Sequence, residues 1–153
     1  MLRISKLADY GTVVMTSMAR DPERVHSAAE VATCIGLAAP TVSKILKTLA
    51  GKGLVVPHRG AKGGYQLAYP PGDISIARII DAMDGPIGAT ECSTMPGLCM
   101  QESRCSIRAN WLKINQIVLQ VLEGVTLEQM TAPIRPQIVN IHPTKRRSER
   151  AVA

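Results

Sequence analysis

Signals for two short helices and a tight turn between residues 27 and 51 limit the fold more than any other part of the chain. Ser27 and Glu30 fit a capping box, in which two side chains satisfy backbone N–H groups at the start of a helix. Gly36 suits the left-handed conformation that ends many helices, and Pro40 suits the first turn of the next one. The pattern therefore predicts a helix of about two turns, a turn at 37–39 and a further helix, which is the arrangement of a helix-turn-helix.

The second helix of this pair has two chemically different faces. Its predicted buried stripe is apolar and consists of Val42, Ile45, Leu46 and Leu49. The opposite face carries small polar and basic side chains, and the candidate DNA contacts on it are Thr41, Ser43, Lys44 and Lys47. In a helix-turn-helix this helix enters the major groove, where lysines contact phosphates and hydroxyls reach base edges or phosphates. An ordinary helical hairpin fits the same pattern, so the segment that follows is needed to separate the two.

The segment at 54–68 is predicted to form a β-hairpin with a glycine-rich basic loop. Strand candidates at 54–56 and 65–68 flank a loop at 58–64 that carries Arg59 and Lys62. Glycines allow close approach to a sugar-phosphate chain, and the two cations would neutralise phosphates or probe the minor groove. We therefore predict the wing of a winged helix; the alternative is an exposed hairpin loop that is basic by chance.

The distribution of charge agrees with a nucleic-acid partner. The 153-residue chain has a net charge of +6, and no acidic residue occurs from 31 to 72. A second basic cluster occupies 145–150, in a proline-bearing tail that we expect to be disordered, either as a solvated end or as a nonspecific DNA-binding arm.

Composition excludes some classes of protein. The chain contains no phenylalanine, so its core must be aliphatic, which favours helices. No long apolar run is present, so we expect no membrane partner. Asp9 and Tyr10 interrupt the start of the chain before an apolar leader segment develops, and we therefore expect a cytoplasmic, reducing location.

A long helix is predicted at 106–123. Its apolar residues are spaced four, three, four and three apart, and they are Ile107, Trp111, Ile114, Val118 and Val121. This narrow seam resembles that of a coiled coil and favours a homodimer. The alternative is a stripe that faces the core of the monomer.

Three of the four cysteines, Cys92, Cys99 and Cys105, lie in or next to a segment at 84–104 without periodicity. Thiolates are soft ligands for zinc, cuprous copper or iron-sulfur clusters. A zinc site is less favoured than an iron-sulfur cluster, because the six and five residues between successive cysteines are more than zinc sites usually have and no histidine lies nearby. A cluster is therefore favoured, and a metal-free thiol switch is the alternative. Cys34 stands apart and is predicted to be a small buried residue.

No enzyme is expected. The chain has no Cys-x-x-Cys motif, and no histidine adjoins the three cysteines to act as a base.

Four parts of the chain together resemble one protein family. They are the segment 6–10, the helix segment 41–46, the wing 59–67 and the three cysteines. Over about residues 1–130 the chain resembles the IscR/NsrR family of winged-helix, iron-sulfur-dependent transcriptional regulators. Its first 15 residues are most similar to the regulators of the SUF iron-sulfur assembly operon.

The resemblance implies a homodimer with crossed long helices and three ligands, Cys92, Cys99 and Cys105. In the IscR branch a histidine three residues after the last cysteine completes a 2Fe-2S site, but Arg108 stands there and cannot ligate iron. In the nitric-oxide-sensing branch an aspartate from the first helix of the partner subunit completes a 4Fe-4S site, and Asp9 is similar in context. We expect Asp9 as the fourth ligand in preference to Glu91 or Glu102. A structural role for Asp9, in capping or in pairing with Lys6, is the alternative, and both cluster types stay open.

The expected fold is mainly α with a small β-hairpin wing. We predict a winged helix-turn-helix domain at 1–83, a cysteine-bearing loop at 84–105, a dimerisation helix with a short cap helix at 106–131 and a basic tail at 132–153. The expected function is regulation of iron-sulfur assembly genes from a double-stranded DNA operator, with a cluster as the sensor. The alternative is a metal-free, thiol-based redox repressor.

Overall fold

The computed structural model describes residues 4–95 and 97–132, and it confirms the predicted fold class. The predicted basic tail lies outside the described residues, apart from Ala132. The helices are α1 (Lys6–Met18), α2 (Ala28–Ile35), α3 (Ala39–Gly51), α4 (Ile76–Asp84), α5 (Glu91–Thr94), α6 (Arg108–Gly124) and α7 (Leu127–Thr131). The strands are β1 (Val55–His58) and β2 (Gly64–Leu67), and single 3-10 turns occupy Pro71–Asp73 and Glu102–Arg104.

Serine caps fix the starts of three helices. The hydroxyls of Ser5, Ser27 and Ser75 each accept a hydrogen bond from the backbone N–H three residues further on, which satisfies a donor that the helix leaves unpaired. The predicted capping box at Ser27 is half wrong, because the carboxylate of Glu30 pairs with Arg24 instead of a backbone N–H. The hydrogen bond and positive charge of Arg24 hold the pKa of Glu30 below its ordinary value.

The core is aliphatic, as predicted, and lies between α1, α3, α4 and α7. The apolar stripe of α3 is fully buried at Val42, Ile45, Leu46 and Leu49. Helices α1 and α4 approach closely at Gly11, where an added Cβ would lie 2.8 Å from Cγ of Met83. The end of the chain returns to this core, since Leu127 is completely buried and its N–H donates to the Ile74 carbonyl at 2.8 Å.

The hairpin is longer than predicted at its tip. Strands β1 and β2 are antiparallel and run from the pair Val55 and Leu67 to the pair His58 and Gly64. The predicted loop at 58–64 therefore shrinks to 59–63. The turn is closed by Gly63, whose N–H donates to the Gly60 carbonyl at 2.9 Å.

The predicted seam of α6 faces away from the core. Exposure is 51% at Ile107, 36% at Trp111, 45% at Ile114 and 61% at Val121, whereas Val118 is partly buried. Four of the five seam residues are therefore open to solvent, against the alternative of a stripe that faces the core. Leu122, at the border of the seam, packs against the core.

Among the described residues no single helix is long and apolar enough to cross a membrane. Only α2 and α3, taken together as a bent pair, meet that test by length and composition.

Candidate functional site

Helices α2 and α3 have the geometry of a helix-turn-helix. Their axes are bent by 119° at a break of three residues, 36–38. Gly36 adopts a left-handed φ of 69°, which lets the chain leave α2 and start α3 at once. The turn ends one residue earlier than predicted, because α3 starts at Ala39.

The outer face of α3 presents the predicted DNA contacts to solvent. Lys44 and Lys47 are exposed, and Thr41 and Ser43 are partly exposed. The ion pairs of the described residues are Arg24 with Glu30 and Arg108 with Glu102, so neither lysine is paired within that part of the chain. Their charges are therefore available to phosphates.

The wing is fixed to the helix pair by backbone hydrogen bonds that the sequence did not predict. His26 and Tyr65 exchange two N–H to carbonyl bonds, each of 2.8 Å. The His26 ring is nearly buried, and its Nε2 lies 2.9 Å from the Asp21 carbonyl oxygen. At the wing tip Arg59 and Lys62 are exposed and carry no ion pair within 4–95 and 97–132. Helix α3 and the wing therefore form one basic surface of defined shape.

The cysteine-bearing segment has more structure than its lack of periodicity indicated. Cys92 lies in the short helix α5 and is 7% exposed, whereas Cys99 and Cys105 are half-buried. Thr90 and Ser93 form a capping box at the start of α5. The Thr90 hydroxyl is 3.3 Å from Sγ of Cys92, within hydrogen-bonding distance of sulfur.

An ion pair holds the second half of this segment to the start of α6. Oε1 of Glu102 accepts hydrogen bonds from Nε and Nη2 of Arg108, at 2.9 and 2.6 Å. Its Oε2 accepts the Gly97 N–H at 2.6 Å. These contacts, the Gly97 bond above all, hold the pKa of Glu102 below its ordinary value. Arg108 thus has a structural partner, and both oxygens of Glu102 are occupied.

The first half of the segment is held by Asn115 of α6, which sequence analysis did not single out. Its side chain is only 5% exposed. Oδ1 accepts the Ala89 N–H at 3.0 Å, and Nδ2 donates to the Ile87 carbonyl at 3.4 Å. No local signal marked Asn115, because α6 also carries exposed polar residues such as Asn110, Gln116 and Gln120.

The donor set fits an iron-sulfur cluster in its chemistry. Three free thiols are present on one short segment, and one of them has a hydroxyl beside its sulfur. In this conformation, however, the described residues contain no group of three or more cysteine, histidine, aspartate or glutamate side chains that could hold a metal ion. The three thiols would have to come closer together to bind a cluster.

Asp9, the predicted fourth ligand, is exposed on the first turn of α1. It lines a groove together with Arg20, Cys34 and Met130. Neither structural alternative for Asp9 is seen, because Ser5 caps α1 and Nζ of Lys6 lies over the Tyr10 ring, 5.5 Å from its centroid. Glu91 is exposed at the start of α5.

The prediction for Cys34 is wrong. This cysteine is exposed near the end of α2, because the inward positions of that short helix are taken by Val31 and Ala32.

Comparisons with known proteins agree with this architecture. The Rrf2 family model, described as an iron-dependent transcriptional regulator, matches residues 4–133. A putative rrf2-like transcriptional regulator of Rhodobacter capsulatus is 31% identical over 122 residues, which cover 76% of this chain and 81% of the relative.

Solved structures include CymR, the global cysteine regulator of Bacillus subtilis. It has a TM-score of 0.71 and 30% identity, covering 86% of this chain and 97% of that one. IscR of T. potens has a TM-score of 0.63 and 28% identity, covering 84% and 85%. The predicted resemblance is confirmed, as is the expectation of a regulator rather than an enzyme. With its helix-turn-helix, its wing and this match over nearly the whole described region, the chain belongs to the Rrf2 family of transcriptional regulators.

Proposed function

We propose that this Rrf2-family regulator acts as a homodimer that binds an operator in double-stranded DNA, senses iron-sulfur cluster, iron or redox status through its cysteines and controls iron-sulfur assembly genes. One observation carries the proposal. A basic surface of fixed shape, made by α3 and the wing, occurs in the same small fold as a segment with three free thiols that is anchored to α6.

On the DNA side, Lys44 and Lys47 of α3 contact phosphates or the groove. Thr41 and Ser43 reach base edges or phosphates. Arg59 and Lys62 of the wing neutralise neighbouring phosphates or enter the minor groove.

The dimer forms through α6. A row of exposed apolar side chains, including Trp111 and Ile114, is costly to leave in water and suits a second copy of the same helix. A twofold dimer reads a pseudo-palindrome, with one recognition helix in each half-site about one helical turn apart.

The ligands of the proposed cluster are Cys92, Cys99 and Cys105, with Asp9 of the partner subunit as the fourth. When bound, the cluster would supply sensitivity to iron and to oxidants. Because the thiols are not gathered in this conformation, we expect the segment between 95 and 105 to rearrange on binding. The chain's own contribution is to keep Cys92 nearly buried and its sulfur next to the Thr90 hydroxyl.

Anaerobic purification followed by iron, sulfide and absorbance measurements tests this function. Wild type and Lys113→Ala, which is changed at an exposed position of α6, should contain iron and sulfide in equal amounts, because Lys113 is not among the proposed ligands. Cys92→Ala should lose the thiolate-to-iron absorbance. A colourless, metal-free wild type would overturn the cluster, whatever its affinity for DNA.

The second candidate is a metal-free thiol sensor that represses transcription. It is favoured by the separation of the thiols in this conformation and by the similarity to CymR, one of whose solved structures, from Staphylococcus aureus, is of an oxidized form with 26% identity. This reading predicts release of DNA by oxidant in protein that contains neither iron nor sulfide.

A further inference from the structure

A buried asparagine in the middle of α6 bonds to the backbone in the first part of the cysteine-bearing segment, ahead of Cys92. Asn115 and His26 are the only buried polar residues within the described part of the chain. Burying an amide is unfavourable unless both of its ends are hydrogen-bonded. Asn115 meets this condition with two backbone groups, at Ala89 and Ile87, that precede it by 26 and 28 residues. An apolar residue would pack at this position without that cost, so the asparagine points to a specific use of its two bonds.

The bonded backbone leads directly to Cys92. Ala89 is followed by Thr90, which caps α5 through the Ser93 backbone and whose hydroxyl lies 3.3 Å from Sγ of Cys92. Ser93 in turn returns a hydrogen bond to the Thr90 carbonyl at 2.8 Å. From α6 to the sulfur there is therefore an unbroken series of short-range contacts. We propose that Asn115 is the positioning residue of Cys92, setting where the first thiol of the segment stands on α6.

A separate set of contacts, centred on Glu102, holds the part of the segment that carries the other two thiols. Arg108, seven residues before Asn115 and thus about two turns away on the same face of α6, reaches the segment through Glu102 and Gly97. In the sequence Cys99 lies between Gly97 and Glu102, which are joined by a hydrogen bond, whereas Cys92 precedes both residues. The effect of Asn115 should therefore be specific to Cys92.

The positioning of Cys92 is argued from contacts alone, and only its use in binding a cluster rests on the proposed function. A pre-placed Cys92 loses less conformational freedom when the segment closes on a cluster, and outer contacts of this kind typically change metal affinity by about 10- to 100-fold. Because the same helix carries the proposed dimer seam, the position of Cys92 is also tied to the helix that joins the two copies.

Thiol alkylation of the reduced, metal-free full chain tests the positioning directly. Iodoacetamide labelling with peptide mass spectrometry gives a rate for each cysteine, and exposed Cys34 serves as the internal reference. In Asn115→Leu, which keeps the volume but leaves the Ala89 N–H without a partner, we expect the Cys92 rate to rise about tenfold relative to Cys34. The Cys99 rate should stay within a factor of two of wild type.

The matched control is Asn110→Leu, the same substitution at an exposed asparagine of α6. It should leave all four rates unchanged. Equal Cys92 rates in wild type and Asn115→Leu would overturn the proposal, and so would a uniform rise at Cys92, Cys99 and Cys105.

A second measurement needs no variant and so does not depend on whether Asn115→Leu folds. The Ala89 amide of the wild type should exchange its hydrogen at least ten times more slowly than an unprotected loop amide. Exchange at the unprotected rate would rule out a persistent bond to Asn115.

Cluster retention then separates this proposal from the proposed function. After anaerobic reconstitution to equal iron content, a chelator should bleach Asn115→Leu several-fold faster than wild type and Asn110→Leu. Equal bleaching would contradict the positioning role. If the wild type takes up no iron and sulfide, the proposed cluster fails, while the alkylation and exchange results still decide the role of Asn115.

Discussion

At the scale of single residues, the strictest steric requirement in the DNA-binding part is at Gly64. An added Cβ there would lie 2.4 Å from the His26 carbonyl oxygen, in the backbone pair that ties the wing to the helix-turn-helix. Neither backbone can move without breaking the two bonds of 2.8 Å between His26 and Tyr65. Glycine is thus required by the close approach and not by a left-handed φ.

Gly64→Ala should therefore lower the free energy of unfolding by about 1 to 3 kcal/mol, as overpacking commonly does. It should also weaken operator binding, because the wing would lose its fixed position. Denaturant unfolding and a DNA titration measure the two effects. Gly51→Ala, at the end of α3 with no neighbouring atom within 4 Å of the added Cβ, is the control and should be at least as stable as wild type, by up to about 1 kcal/mol. Equal stability of the two variants would contradict this packing.

The carboxylate of Glu102 makes the order of the cysteine-bearing segment depend on pH. Its pKa is lowered by the Gly97 N–H and by Arg108, so the ionised form is favoured in the folded chain. The stabilisation that the ionised Glu102 carboxylate gives the folded segment is fully present above the ordinary glutamate pKa of about 4.3. It is lost as the pH falls through the lowered pKa that Glu102 has in the folded chain. Protection of the Gly97 amide from exchange should follow the same course.

Glu102→Gln tests this dependence, because the neutral amide resembles the protonated acid at every pH. Its Gly97 protection should be low and independent of pH, whereas the wild type should change from protected at neutral pH to the variant's level in acid. Wild-type protection that persists unchanged well below pH 4 would exclude the role of the carboxylate.

At the scale of elements, local sequence signals predicted the helix pair α2 and α3 well. Ser27 and Gly36 lie where α2 begins and ends, because caps and left-handed turns depend only on residues within one turn. The buried stripe of α3 follows for the same reason, since helical spacing alone brings its members to one face. The α6 seam was predicted as a pattern, but only its exposure separates a partner-facing seam from a core-facing stripe.

The errors and omissions share a different cause. The carboxylate of Glu30 pairs with Arg24 and not with a backbone N–H. Asn115 bonds to Ala89 across 26 residues, which no local pattern encodes. Cys34 was predicted to be buried from residue type alone, but exposure depends on which positions of a short helix face the core. Convergence of the three thiols depends on the path of the chain between them, which neither gap length nor the absence of periodicity determines.

Helix α6 offers a direct test of dimerisation. In the monomer Ile114 is already 45% exposed, so Ile114→Lys should leave the unfolding of the isolated subunit nearly unchanged. In a twofold dimer the same change places two lysines against apolar partners, and the dimer dissociation constant should rise at least about 100-fold. Sedimentation velocity over a concentration series measures this shift.

Gln116→Lys, an equal gain of charge at an exposed site of α6 outside the seam, should leave the dimer intact. If both variants sediment like wild type, the seam is not the dimer contact.

At the scale of the whole molecule, α6 is the element that links the functional parts. Its first turn holds the Cys99 part of the segment through Arg108, its middle holds the Cys92 part through Asn115, and near its end Leu122 packs against the core that supports α3. Under the proposed function, a change in the segment would reach α3, the proposed recognition helix, through the contacts of α6 with the core. Coupling of this kind typically amounts to about 1 to 3 kcal/mol, enough to change operator affinity by about 5- to 150-fold.

Charge is also organised over the whole molecule, since residues 31–72 carry basic side chains and no acidic one. If each subunit neutralises phosphates with Lys44, Lys47, Arg59 and Lys62, the logarithm of operator affinity should fall with the logarithm of salt concentration with a slope of about −7 for the dimer. Lys44→Ala removes one contact per subunit and should reduce the steepness by about two. Lys113→Ala removes the same charge from exposed α6 and should leave the slope at the wild-type value, because counterions are released only where a cation meets a phosphate. Equal slopes for the two variants would mean that net charge, and not the surface of α3 and the wing, attracts the DNA.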